Sequence, residues 1–240
     1  MELRRFFVSD SDIDGDSITV RGDEFRHMTK VLRLKKGFKA IVCANDGKER
    51  HCVIDKIEND FATLTVERVE TVDRKSASLT LFCGVLKNQN LDPVVRKAVE
   101  LGVDVIVPFV SANTAETRFN EERASRIALE SAKQCGAVYL SKIEQVCGFD
   151  EMLERFPDYS TVVFAYEEER KTALKQVDFK GNDIALVVGS EGGFKREERD
   201  RAEAQGAKIV TLGRRILRAE TADIVACALT LDALGELDYD

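Results

Sequence analysis

The sequence predicts an α/β protein in two parts: a small β-rich barrel, then a parallel sheet covered by helices. Three observations predict it. Short strand-like runs fill residues 1 to about 70, at the spacing of a small barrel. From Leu79 onward, apolar runs alternate with helical stretches, the pattern of a parallel sheet buried on both faces. Between the two, residues 70–78 (Glu-Thr-Val-Asp-Arg-Lys-Ser-Ala-Ser) are polar and small, as a linker is. The expected domains are therefore 1–72 and 73–240.

In the first part, strands are expected at Arg5–Val8, Ser17–Arg21, Lys39–Ala44, Arg50–Ile57 and Ala62–Val69, with one helical turn among them. Asn45-Asp46-Gly47 is a hairpin signal. In the second part, Leu79–Gly84 is an apolar strand. Asp92-Pro93 offers an N-cap and a first-turn proline for a helix that stops at Gly102. Strand Val103–Val110, helix Asn120–Cys135 and strands near Lys142–Val146, Thr161–Ala165, Ile184–Gly189 and Ala207–Leu212 follow. The last helix, Ala219 to about Leu234, is apolar on nearly all sides and belongs in a core or a subunit interface.

Composition narrows the function classes. The 240 residues are 44% hydrophobic and 33% charged, enough to bury a core. No run approaches the roughly 18 apolar residues of a membrane helix, and Met1-Glu2-Leu3-Arg4-Arg5 is not a signal-peptide opening. The six cysteines form no C-x-x-C pair, which predicts reduced thiols in a cytoplasmic protein and no metal site. A net charge of −7 argues against indiscriminate nucleic-acid binding. The charge is uneven, however. Residues 23–39 carry six Lys/Arg against two acids, and residues 194–218 carry eight against four. Each segment reads either as a solvated face or as a local anion-binding face.

Two late loops concentrate the chemistry. Gly189-Ser190-Glu191-Gly192-Gly193 follows a buried strand and precedes a charged helix. It reads as a tight turn or as a place where backbone approaches a ligand. Its spacing is neither the dinucleotide fingerprint nor a P-loop. Leu212-Gly-Arg-Arg-Ile-Leu-Arg-Ala-Glu-Thr-Ala222 is a strand end, a basic loop and a helix start. Arg218 and Glu220 there form either a structural ion pair or an anion stabiliser beside a proton-handling carboxylate. Loops at the carboxyl ends of neighbouring parallel strands are where open α/β sheets bind ligands.

Taken together, the two loops resemble the C-terminal motifs of the RsmE family. These SPOUT-superfamily enzymes methylate N3 of a uridine in the 16S ribosomal RNA of the small subunit. The resemblance extends over nearly the whole chain. Arg4-Arg5-Phe6-Phe7-Val8 and His27-Met-Thr-Lys-Val-Leu-Arg-Leu-Lys-Lys-Gly37 are similar to the family's PUA-like RNA-binding barrel. Lys97–Val103, Ile106-Val-Pro108 and Ser131-Ala-Lys-Gln134 fit its middle. The resemblance implies a trefoil-knotted parallel sheet, S-adenosylmethionine as cofactor, a homodimer, and a cytoplasmic role in ribosome biogenesis on ribosomal RNA or the assembled particle. It implies cofactor contacts from Ala165, Tyr166, Gly189, Gly192, Gly193, Leu212, Gly213, Ile216, Leu217 and Thr221. RNA contacts are expected from Arg5, Arg26, His27, Lys30, Arg33 and Lys35. Arg218 is expected to stabilise the charge developing on the base, with Glu191 or Glu220 handling its proton.

The chain departs from the family pattern in four places. Ser190 and Arg214 stand where proline is common. Ser111-Ala112-Asn113-Thr114 replaces a Ser-Glu-Arg-Ser sequence, and an arginine usual after the helix glutamine is missing near Gly136-Ala137. The lost basic positions bear on RNA affinity and target more than on the cofactor. The alternatives are a non-catalytic RNA-binding or ribosome-assembly protein, and a methyltransferase for another RNA position. A nucleotide-dependent oxidoreductase ranks below both, because its fingerprint is absent.

Overall fold

A computed structural model describes residues 3–87 and 89–238. The chain forms two compact units, residues 1–74 with 132–140, and residues 75–131 with 141–240.

The first unit is a six-stranded sheet in the order β1-β4-β5-β6-β3-β2. The strands are β1 (Arg4–Phe7), β2 (Ile13–Asp14), β3 (Ser17–Arg21), β4 (Lys39–Cys43), β5 (Lys48–Ile57) and β6 (Phe61–Thr71). β1 and β4 run parallel and the other pairs are antiparallel. The Asn45-Asp46-Gly47 signal lies, as expected, between two hydrogen-bonded neighbours, β4 and β5. Alternation along the strands puts Phe6, Ile18, Val20, Val42, Ile54 and Leu64 into one core. The expected helical turn is α1 (Gly22–Arg26), which continues into a π-helical turn at His27–Val31. Residues 132–140 complete the unit. Lys133 pairs with Glu24, the Leu140 N–H donates to Asn45 Oδ1 at 2.7 Å, and the Arg74 guanidinium lies 5.4 Å from the Tyr139 ring centre.

The second unit is a parallel sheet in the order β10-β8-β7-β12-β11-β13, with β9 also on β8. Its strands are β7 (Ser78–Gly84), β8 (Val105–Val110), β9 (Lys142–Ile143), β10 (Cys147–Gly148), β11 (Thr161–Ala165), β12 (Asp183–Val188) and β13 (Lys208–Val210). The helices are α2 (Leu91–Leu101), α3 (Glu121–Cys135, of which residues 132–135 count with the first unit), α4 (Phe149–Glu154), α5 (Arg196–Ala204) and α6 (Ala219–Ala233). The single strand expected near 142–146 is instead two short strands on the same edge of β8.

β12 runs between β7 and β11, which precede it in the chain. α6 then packs on β12, β7 and α2. The connections from β7 and β12 leave in opposite directions, so a topological switch point falls at their carboxyl ends. α2 stops at Gly102 in the left-handed region, as expected. Its start differs from expectation: Asn90, not Asp92, is the N-cap residue. Asp92 lies inside the first turn and holds Arg123 at 2.6 Å.

One face of α6 is buried through Ala219, Asp223, Ala226, Cys227, Thr230 and Leu231. The other keeps Ile224 and Val225 half-buried and Leu229 exposed. Five of the six cysteines are buried. Burial pushes the Cys52 thiol up to about 12 and that of Cys147 to about 11, so both stay protonated. Among the described residues, no helix is long and apolar enough to cross a membrane.

Candidate active site

The switch point opens into a cavity of about 610 Å³ in the second unit. The loop after β12 supplies Gly189–Gly193, the segment after β11 supplies Tyr166, Glu167 and Arg170, and the segment from β13 into α6 supplies Thr211–Glu220. Asn90 enters from the connection after β7. Four strands that point the same way necessarily deliver their following loops to the same edge.

The β12 loop is held at its far end by Phe194, 6% exposed. This ring packs against Phe164 at 4.3 Å and Phe109 at 6.0 Å between centroids. At Gly193 φ is +62°, and a Cβ would lie 2.1 Å from Glu167 Oε1. The positive φ favours glycine there, whereas the Glu167 side chain is exposed and its end can swing aside from a Cβ. Glu191 Oε1 accepts the Lys87 N–H at 2.9 Å, which engages one oxygen of that carboxylate in holding the loop.

Arg218 is the N-cap residue of α6 and is exposed; Glu220 is half-buried in the first turn. Among the described residues neither makes a side-chain hydrogen bond or ion pair, so the structural ion-pair reading of these two residues fails. Tyr166 is 7% exposed and donates its hydroxyl to Glu168 at 3.1 Å. Burial first, and then that acceptor, raise its pKa.

Arg218, Glu191 and Glu220 thus line one cavity with Ala165, Tyr166, Gly189, Gly192, Gly193, Leu212, Gly213, Ile216 and Leu217. Thr221 does not belong to the lining: it is exposed on α6, and Ala222 takes its place. The helical turn from Arg218 sends residue 222, not residue 221, back over the loop. Asn90, Arg170 and Thr211 are additions that sequence reasoning missed. The signal for Asn90 was available, since β7 neighbours β12 and its connection must reach the same edge.

In the first unit, Lys30, Arg33 and Lys35 are exposed and make no ion pair among the described residues. Arg26 is exposed beside Asp23, and His27 is half-buried, edge-on to Phe6. Val31 and Phe38 are exposed among these cations. Arg5 is different. Its side chain is 8% exposed and donates to Glu49 at 2.6 Å and to Cys43 Sγ at 3.0 Å, so it is a buried structural cation. Among the described residues, Glu49, His51 and Glu70 bring three potential metal donors within 4.8 Å of one another. Arg5 and Arg68 each hold one oxygen of these carboxylates, at 2.6 Å on Glu49 and 2.7 Å on Glu70.

A ligand cavity at the switch point of a parallel sheet, in a chain that also carries a separate β unit with a basic face, defines a two-domain α/β protein with a small-molecule site. Comparison with known proteins narrows this class. The family model for the RNA methyltransferase domain matches residues 73–231, and that for the RNA methyltransferase PUA domain matches residues 20–67. The chain belongs to this RNA methyltransferase family. It is 28% identical over 227 residues to ribosomal RNA small subunit methyltransferase E of Bacillus subtilis, covering 89% of each chain. Its fold matches that of ribosomal RNA small subunit methyltransferase E from Neisseria gonorrhoeae bound to S-adenosyl methionine. That match has a TM-score of 0.85 and 25% identity over 96% of this chain and 98% of the other. A probable rRNA-methyltransferase from Porphyromonas gingivalis matches with a TM-score of 0.85 and 26% identity over 98% and 100%. The α/β architecture expected from the resemblance, a parallel sheet preceded by a PUA-like domain, is the fold observed.

Proposed function

We propose that the chain is an S-adenosylmethionine-dependent methyltransferase acting on N3 of a uridine in the 16S ribosomal RNA of the small subunit. The observation that carries this reading is the convergence of Arg218, Glu191 and Glu220 with two glycine-containing loops on one cavity. The relatives' names support the substrate class, and the Neisseria structure supports the cofactor.

The cavity fits that cofactor. Its volume suits a ligand of this size. Leu212, Ile216 and Leu217 give apolar surface for a purine, and the lining carries charges of both signs (Glu167, Glu191 and Glu220 with Arg170, Arg214, Arg215 and Arg218), which suits a ligand that has a sulfonium, an ammonium and a carboxylate. The residues that would hold it are Gly189–Gly193 and Leu212–Leu217, with Ala165 and Tyr166 as a further wall. When bound, S-adenosylmethionine supplies a methyl group already activated by its sulfonium, so the protein's task is positioning.

Uridine N3 carries a proton, which a base takes unless the site favours the uridine anion, and Glu191 or Glu220 is the proposed group that accepts or orients it. Glu220 suits this role better than Glu191, because a backbone N–H already engages Glu191. Arg218, without a side-chain partner among the described residues, is free to stabilise the negative charge developing on the base oxygens. The target base must be unpaired or extruded, because N3 lies on its pairing edge.

Arg26, His27, Lys30, Arg33 and Lys35 form the proposed RNA face, and the exposed Val31 and Phe38 add apolar contact. The half-buried Ile224 and Val225 and the exposed Leu229 on α6 support pairing of two copies. A cytoplasmic location goes with a ribosomal substrate.

The test is methyl incorporation into small-subunit RNA or particles, followed by identification of the modified nucleoside. 3-Methyluridine is the expected product; another modified nucleoside would reassign the target. Arg218→Ala should lower turnover by roughly 100-fold or more and leave S-adenosylmethionine affinity within about threefold. Equal losses in both would make Arg218 a cofactor-binding residue instead.

A further inference from the structure

The turn after β8 is fastened to the β12 loop at three points. Thr114 Oγ1 lies 3.3 Å from Ser190 Oγ and 3.0 Å from Ser111 Oγ, and accepts the Ser111 N–H at 2.9 Å. Asn113 Nδ2 donates to the Gly192 carbonyl at 3.2 Å. The Ala112 N–H donates to Glu198 Oε1 at 2.9 Å, and Glu198 Oε2 accepts the Lys195 N–H at 2.9 Å. One four-residue turn therefore grips the loop before, within and just after its Glu191-Gly192-Gly193 centre.

The Asn113 contact is exposed, but the Ser111, Ser190 and Glu198 side chains are shielded. Ser190, Ser111 and Glu198 are 5%, 6% and 7% exposed. A hydroxyl has one hydrogen and two lone pairs, so three partners saturate Thr114 Oγ1. Removing it would leave the Ser111 N–H and the Ser190 hydroxyl without that partner in a dry setting, where an unmade bond is expensive. The approach at the centre is also close. A Cβ at Gly192 would lie 2.4 Å from the Asn113 carbonyl oxygen, so the two backbones touch with no room for a side chain.

We propose that Ser111–Thr114 is a latch that presets the Gly189–Gly193 loop in its cofactor-receiving shape, with Thr114 the positioning residue. This rests on the reading that the loop holds S-adenosylmethionine. A loop already ordered before binding loses less freedom when the cofactor arrives, and so binds it more tightly. Thr114 itself does not line the cavity and acts only through Ser190.

The Thr114→Val and Thr114→Ser variants test the latch, because they separate the hydroxyl from the methyl group. Thr114→Val keeps the shape and loses the hydroxyl. It should weaken S-adenosylmethionine binding, read by titration calorimetry, by about tenfold, while turnover at saturating cofactor stays within about twofold. Thr114→Ser keeps the hydroxyl and should bind within about twofold of the parent. In the cofactor-free protein, hydrogen exchange at the Gly192 and Gly193 amides should quicken in Thr114→Val and not in Thr114→Ser. The loss in the double variant Ser190→Ala, Thr114→Val should be smaller than the product of the two single losses.

The opposite pattern, with Val tolerated and Ser impaired, would mean that the methyl packs and the hydroxyl does nothing; that overturns the latch. Gly193→Val separates the two readings. If it binds cofactor like the parent, the loop is not the cofactor site and the latch falls with it. If it loses binding while the two Thr114 variants behave alike, the site stands and the latch is wrong.

Discussion

Asp223 lies on the buried face of α6 with both carboxylate oxygens lacking a hydrogen-bond partner among the described residues. Burial, and then the charge of Glu220 one turn away, hold its pKa well above the ordinary carboxylate range. The folded protein therefore keeps a proton there that the unfolded chain releases above a pH of roughly 4. Over that range the native state binds more protons than the unfolded state, so stability falls as pH rises. Asp223→Ala should accordingly melt higher than the parent at pH 8, by roughly 2–4 °C for each kcal/mol recovered, with the gain shrinking toward pH 4. A gain independent of pH would show that Asp223 is charged or solvated in the native state. The sequence shows Asp223 only as a polar interruption in an apolar helix. Arg5 teaches the same lesson: its charge is visible in the sequence, but its partner Glu49 arrives through the pairing of β1 with β4 and β4 with β5. Two departures from the family pattern noted separately, at Ser190 and at Asn113-Thr114, meet in space at the latch.

At the scale of elements, the strands and long helices were legible because apolar runs and their punctuation are local signals. Ser17–Arg21 and Thr161–Ala165 fall where the pattern places them. Elements set by tertiary pairing were harder to read. β9 and β10 are two contacts with one edge of β8, and a pattern of alternating side chains cannot distinguish this from one strand. The π-helical turn at His27–Val31 was also hidden, since one extra residue per turn leaves little trace in composition. That turn and the residues after it project Lys30, Arg33 and Lys35 into solvent. Replacing Arg33 and Lys35 together by Gln should weaken RNA binding. It should also reduce the slope of log affinity against log salt by about 1.4, or roughly 0.7 per lost phosphate contact on single-stranded RNA. An unchanged slope would remove this turn from the RNA face. Gly189–Gly193 and the Leu212–Ala222 segment were legible as loops; that they share a cavity with Asn90 follows from strand order, which the sequence does not display.

At the scale of the molecule, the first unit is built from two separated stretches of chain. Glu24 needs Lys133, Asn45 needs Leu140, and Arg74 needs Tyr139. The Glu24 and Lys133 side chains are only 13% and 11% exposed, so loss of either leaves the other charge poorly solvated. A polypeptide of residues 1–74 should therefore lack a cooperative thermal transition by circular dichroism, or melt at least about 10 °C below this unit in the full chain; at roughly 4–8 °C per kcal/mol for a domain of this size, the missing contacts are ample. A sharp transition at the same temperature would show residues 132–140 to be dispensable. Composition and linker reading place a boundary after β6, and no local feature of residues 132–140 marks them as part of the earlier unit.

This division of the first unit also sets a schedule. Translation delivers the chain from its N-terminus, and domains generally fold as they emerge. Here β1 to β6 leave the ribosome well before the segment that closes over them. The part of the protein made first must wait, incomplete, until synthesis has passed residue 140.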